Sequence, residues 1–106
     1  MSSSLCVVFI TAPSGRVSKR LAADIVNRKL AACVNVVPKI SSLYRWKGKT
    51  ETASESLLLV KTRRARVAPL IRAIRRLHPY SVPEIIALPI VSGLAAYLDW
   101  VRKECA

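Results

Sequence analysis

Two prolines, Pro79 and Pro83, stand between a helical pattern and an apolar strand pattern. Proline disfavours helical geometry at the residue before it, so a helix must stop near Leu77 and Val82 must be extended. The segment His78-Pro-Tyr-Ser-Val-Pro-Glu84 is therefore a stiff polar corner leading into the apolar run from Ile85 to Ile90. It holds the only histidine and one of the six acidic side chains. Polar corners at strand mouths are common places for sites.

The rest of the chain is read around that corner. Leu5 to Ala12 is an apolar, β-branched run, which predicts a buried strand. Pro13-Ser14-Gly15 breaks it, and Ser14 or Ser18 is placed to cap a helix. Val17, Leu21, Ala22, Ile25 and Val26 recur at helical spacing, which predicts an amphipathic helix to about Leu30. Cys33 to Trp46 reads as a second strand, bent at Pro38, with its even positions on one buried face. Lys47-Gly48 is a tight-turn signal, and Lys49 to Thr62 is a third strand. A helix carrying Val67, Leu70, Ile71, Ile74 and Leu77 follows, with Pro69 confined to its first turn. The fourth strand spans about Glu84 to Val91, with Pro89 implying a sheet edge or a bulge. A last helix turns Leu94, Tyr97, Leu98 and Val101 inward. The order predicts one α+β domain over residues 1–106, a ferredoxin-like βαββαβ sandwich. Its antiparallel four-stranded sheet has both helices on one face, and a short C-terminal helix is appended.

Charge and cysteine usage narrow the function. The 106 residues carry 18 Lys and Arg against six Asp and Glu, a net charge of +12 that favours polyanions or acidic surfaces as partners. A hydrophobic fraction of 52% is high for a small monomer and predicts burial against other chains. The longest uncharged run, Ile85 to Leu98, is broken by Pro89 and Gly93 and is short of the about 18 residues of a membrane span. The start, Met1-Ser-Ser-Ser, is not a secretory signal. The expected location is cytoplasmic, or organellar if a transit peptide has been removed. Cysteines at 6, 33 and 105 form neither a disulfide framework nor a zinc motif. Cys6 reads as core and Cys105 as exposed and oxidisable.

Few residues can carry chemistry. His78 follows a helix C-terminus, where the macrodipole favours a cationic ring. Glu84 shares a strand face with Ile86, Leu88 and Ile90, so it needs a partner or a task. Lys61 mirrors it in the third strand, and a Lys61–Glu84 ion pair is the plain structural reading. Cys33 is either a small buried hydrophobe or a thiolate ligand which, with His78 and Glu84, would suit copper or zinc. Tyr44-Arg-Trp-Lys-Gly-Lys49 alternates aromatics and cations at a turn. Single-stranded nucleic acid could stack there. A hairpin that buries Tyr44 and Trp46 on one face is favoured over that, and a nucleic-acid partner is not expected. Arg72, Arg75 and Arg76 form a cationic stripe on the second helix. No phosphate-binding loop, nucleophile elbow or zinc-helix motif is present, so no catalytic engine is expected.

The blocks VVFITAPS, KLAACVNVVPKISSLYRWKGK, ESLLLVKT, LHPYSVPEIIALPI and YLDWV resemble the CutA family of divalent-cation-tolerance proteins, from about Val7 to Val101. The resemblance implies a ferredoxin-like homotrimer joined by intersubunit sheet pairing, with an architecture like that of the PII signalling proteins. It implies a link to copper and divalent-cation tolerance, acetylcholinesterase anchoring in animal members, and no established reaction. It also implies metal contacts at Cys33, His78 and Glu84, and a cluster of Tyr44, Trp46, Lys61, His78, Tyr80 and Glu84 near clefts between subunits. The chain departs from the family pattern at Ser81 and Leu94 and is acid-poor between Thr50 and Glu55. The expected function is a trimeric protein binding copper, another divalent cation or a small ligand. The alternatives are a scaffold that recruits an acidic protein and an enzyme or small-anion sensor using His78 and Lys61.

Overall fold

The computed structural model describes residues 4–106. Residues 1–3 lie outside the description, so the reading of the polar start rests on sequence alone. Strand β1 is Leu5–Pro13, helix α1 Arg16–Asn27, β2 Cys33–Trp46 and β3 Lys49–Arg63. Helix α2 is Val67–Leu77, β4 Ile85–Pro89 and α3 Ala95–Glu104. The four strands form one sheet in the order β2-β3-β1-β4, and every pairing is antiparallel.

Strand alternation divides the sheet into two unlike faces. Val8, Ile10, Leu58 and Val60 point to one side and are fully buried against Leu21 and Ile25 of α1 and Leu70 and Ile74 of α2. Burying a side chain of this size contributes about 1.5–3 kcal/mol, so this layer dominates the stability of the chain. Val7, Phe9, Leu57 and Leu59 point the other way, and α1 and α2 do not reach them. Beside them Ile86 and Leu88 are about half exposed. Helix α3 closes one end of the sheet, where Val101 and Cys105 bury Leu5.

Several local expectations change. Gly15, at φ 79, occupies the start of α1, and no side chain caps it; instead the Ser18 hydroxyl donates to the Gly15 carbonyl at 3.0 Å. The helix ends at Asn27 rather than Leu30, because Lys29 turns left-handed at φ 57 and Leu30 N–H bonds back to Ile25 O. In α3 only Val101 is fully buried, while Leu94 and Tyr97 are exposed rather than inward. Cys105 is buried, not exposed, and its thiol donates to Val101 O at 3.0 Å. Burial, then the nearby Cys105, pushes the Cys6 thiol up, which keeps it an inert core group.

The bend at Pro38 is a bulge with a long reach. Val37 pairs with Leu57 but Ile40 pairs with Glu55, so β2 carries one extra residue there, and Lys39 adopts φ 59. An extra residue flips every later side chain to the other face. Val34 and Val36 therefore lie on the helix side, whereas Ile40, Ser42, Tyr44 and Trp46 lie on the bare side with Glu55. The expectation of one continuous even-numbered face fails for this reason. Tyr44 and Trp46 are 45% and 44% exposed instead of buried. Beyond the bulge β2 pairs only with Lys49 to Glu55 of β3, of which Glu55 alone also meets β1, and the ribbon turns at Lys47 and Gly48, both left-handed.

Candidate functional site

The polar corner folds onto the bare side of the sheet at the base of that ribbon. His78 follows the last turn of α2, extended at ψ 133 as its neighbour Pro79 requires, and is 6% exposed. Its Nε2 lies 2.7 Å from the carbonyl of Thr11, and its Nδ1 accepts the N–H of Tyr80 at 3.1 Å. A carbonyl only accepts and an amide N–H only donates, so these partners fix the neutral tautomer with the proton on Nε2. Both ring nitrogens are thus engaged by backbone groups of the same chain. The rings of His78 and Tyr80 also meet at 4.7 Å.

Tyr80 carries the connection onward. Its hydroxyl donates to Oε2 of Glu55 at 2.8 Å. Burial, then that bond to a carboxylate, pushes the Tyr80 hydroxyl up to about 12. Glu55 is 5% exposed and lies opposite Pro13 in the sheet. It was not among the expected site residues. Its signal in the sequence is a carboxylate two residues ahead of the Leu57–Val60 run, on the same strand face as Leu57.

Together these groups bound a cleft of about 590 Å³. Tyr44, Trp46, Ser42 and Leu43 of the ribbon form one wall, and Tyr80, Ser81, Val82 and Glu84 form the other. Thr11 and Glu55 complete the lining. Glu84 precedes β4 and is exposed.

The remaining expected residues are elsewhere. Cys33 pairs with Lys61, four residues along β3 from the Leu57–Thr11 level, about 13 Å at the strand rise. Within one chain the structure thus brings together His78, Tyr80, Glu84, Tyr44 and Trp46, but not Cys33 or Lys61. No Lys61–Glu84 ion pair forms among the described residues. Cys33 instead neighbours Tyr97, whose hydroxyl is pushed up by burial and then by the Cys33 sulfur. No group of three or more His, Cys, Asp or Glu gathers among the described residues.

A four-stranded antiparallel sheet sealed by helices on one side and bare on the other, with an aromatic and acidic cleft at the foot of a ribbon, defines a small α+β protein. The chain belongs to the CutA1 divalent ion tolerance protein family, whose profile matches residues 6–104. It is 50% identical over 101 residues to the CutA homolog of Xenopus laevis, covering 95% of this chain and 67% of that protein. It is 49% identical to the chloroplastic CutA of Arabidopsis thaliana, covering 92% of this chain but only 54% of that one. The divalent cation tolerance protein of Thermus thermophilus superposes with a TM-score of 0.94 at 47% identity, covering 96% of this chain and 99% of that one.

Proposed function

We propose that this single-domain, ferredoxin-like chain works as a homotrimer that holds a divalent cation at clefts between its copies. The observation that carries the reading is the bare sheet face. Ile86 and Leu88 are 50% and 43% exposed beside Val7, Phe9, Leu57 and Leu59, and the ribbon adds Tyr44 and Trp46 at 45% and 44%. Such an apolar surface on a small chain is an interface in want of a partner. The same face has Lys61 at one end and Glu55 and Glu84 at the other, an arrangement that suits head-to-tail packing into a closed ring.

Assembly also supplies what one chain lacks for a metal. Glu84 and the free oxygen of Glu55 offer carboxylate donors, and Cys33 of another copy would add the thiolate that favours copper or zinc. His78 acts in this reading as a positioning residue, through Tyr80. The family name supports a role in cation tolerance. The chloroplastic relative supports an organellar address alongside the cytoplasmic one, and no described helix is long and apolar enough to cross a membrane.

Light scattering together with calorimetric titration of copper and zinc tests the proposal. A threefold mass and a metal affinity weakened by Glu84→Gln and by Cys33→Ser are expected. A monomer at micromolar concentration, or unchanged affinity in both variants, would falsify it.

A second reading rests on a separate observation. Arg16, Lys19 and Arg20 of α1 and Arg72, Arg75 and Arg76 of α2 are exposed on the helix side, where Asp24 is the one carboxylate of either helix. A surface of that kind would recruit an acidic protein, as in a scaffold or a PII-like signalling trimer. The exposed aromatics of the ribbon lie on the opposite side of the sheet, which weighs against single-stranded nucleic acid.

A further inference from the structure

The cleft has a lining unlike the rest of the molecule. In a chain with 18 basic side chains and six acidic ones, no lysine or arginine lines it, yet Glu55 and Glu84 both do. Glu55 is 5% exposed, one of its oxygens is held by Tyr80, and the other has no partner among the described residues. A nearly buried carboxylate with an open acceptor draws a positive group into the space before it. The walls add a second preference. Tyr44 and Trp46 stand two residues apart on one strand face, and Tyr80 faces them across the opening. Aromatic faces attract weakly hydrated cations such as alkylammonium groups.

We infer that this cleft binds an organic ammonium ion, with the Glu55 and Glu84 carboxylates matching the charge and the Tyr44, Trp46 and Tyr80 rings enclosing the alkyl part. The inference rests on the proposed reading that the cleft is a cation site, and it names a ligand class that needs no donors from another copy. It also accounts for the position of Trp46 and Tyr44. The bulge at Pro38–Lys39 turns both rings from the helix side to the carboxylate side, and neither is buried in the core.

The test uses the full chain carrying Trp100→Phe, which leaves Trp46 as the only indole. Tetramethylammonium chloride and butylammonium chloride are titrated against its emission, with sodium chloride at matched ionic strength as reference. A saturable change is expected with the organic salts and not with sodium. Glu55→Gln and Tyr44→Ala should each weaken it by about tenfold or more. Glu84→Gln, at an exposed position, serves in place of Glu55→Gln if that variant does not fold. Identical, unsaturated responses to all three salts overturn the inference. So does binding that appears only after Lys61→Met, because a lysine of another copy would then be the natural occupant. A parallel zinc titration separates the two levels of the argument. Zinc binding without ammonium binding defeats this inference alone, and failure of both defeats the cation reading as well.

Discussion

The hydroxyl of Tyr80 donates to the carboxylate of Glu55 at 2.8 Å, joining a proline-stiffened loop to a strand 25 residues earlier in the chain. The same Tyr80 donates its backbone N–H to His78, so one residue ties helix end, sheet and cleft together. The proline-stiffened corner thus braces the sheet as well as walling the cleft.

The brace has a pH signature. The Tyr80 hydroxyl is pushed up to about 12 by burial and then by Glu55. In the unfolded chain a tyrosine ionises near about 10. The neutral hydroxyl is therefore favoured by folding. Its contribution is fully present below about pH 10 and is lost as pH rises toward about 12. Glu55→Gln should bring the Tyr80 ionisation down toward the ordinary value, read at 295 nm as the difference from Tyr80→Phe. Retention near 12 would assign the whole shift to burial.

His78 should matter for stability more than for cation affinity. His78→Ala removes two hydrogen bonds and strands the Thr11 carbonyl and the Tyr80 N–H. A loss of about 2–4 kcal/mol in urea unfolding is expected. Added zinc should stabilise the wild type and the variant by equal increments. A zinc increment confined to the wild type would show that His78 ligates after all.

Two buried hydroxyls on β3 carry opposite predictions. Thr62 is fully buried and donates to Leu30 O at 2.6 Å, so Thr62→Val should cost about 1–3 kcal/mol. Ser56 is equally buried, and its hydroxyl has no partner among the described residues. Ser56→Ala should be neutral or stabilising by up to about 1 kcal/mol. Thermal midpoints of the two variants check both signs.

The bare sheet face should tolerate no charge. Leu88→Asp places a carboxylate among Val7, Ile86 and their neighbours, at a position 43% exposed in a single chain. The variant should elute at the mass of one chain and melt at a lower temperature than the parent. An unchanged oligomer would remove this face from the interface.

The strand and helix order was legible because local signals agree with the fold. The Lys47-Gly48 pair takes left-handed angles at the ribbon turn, and β2 spans Cys33–Trp46 as its β-rich pattern indicates. Pro79 ends α2 at Leu77 as the steric rule requires. The bulge was legible only as a bend, because its consequence for side-chain direction depends on pairing with β3. The exposure of Leu94 and Tyr97 was not legible either. A hydrophobic pattern records that a face will be covered, but not whether the cover belongs to the same chain. Glu55 escaped notice because its partner lies across a loop whose path no local pattern fixes.

The ribbon beyond the bulge bears on how the molecule forms. Ile40 to Trp46 pairs only with Lys49 to Glu55, and Leu43, Tyr44 and Trp46 stay uncovered. Its turn can nucleate within microseconds, since its contacts are local. A lone two-stranded hairpin is at best marginally stable in water, so it frays and re-forms until something docks against it. In the proposed trimer another copy provides that cover, so maturation of this tip would be a second-order event. Its rate should then rise with protein concentration, while the helix-covered core forms at a rate that does not.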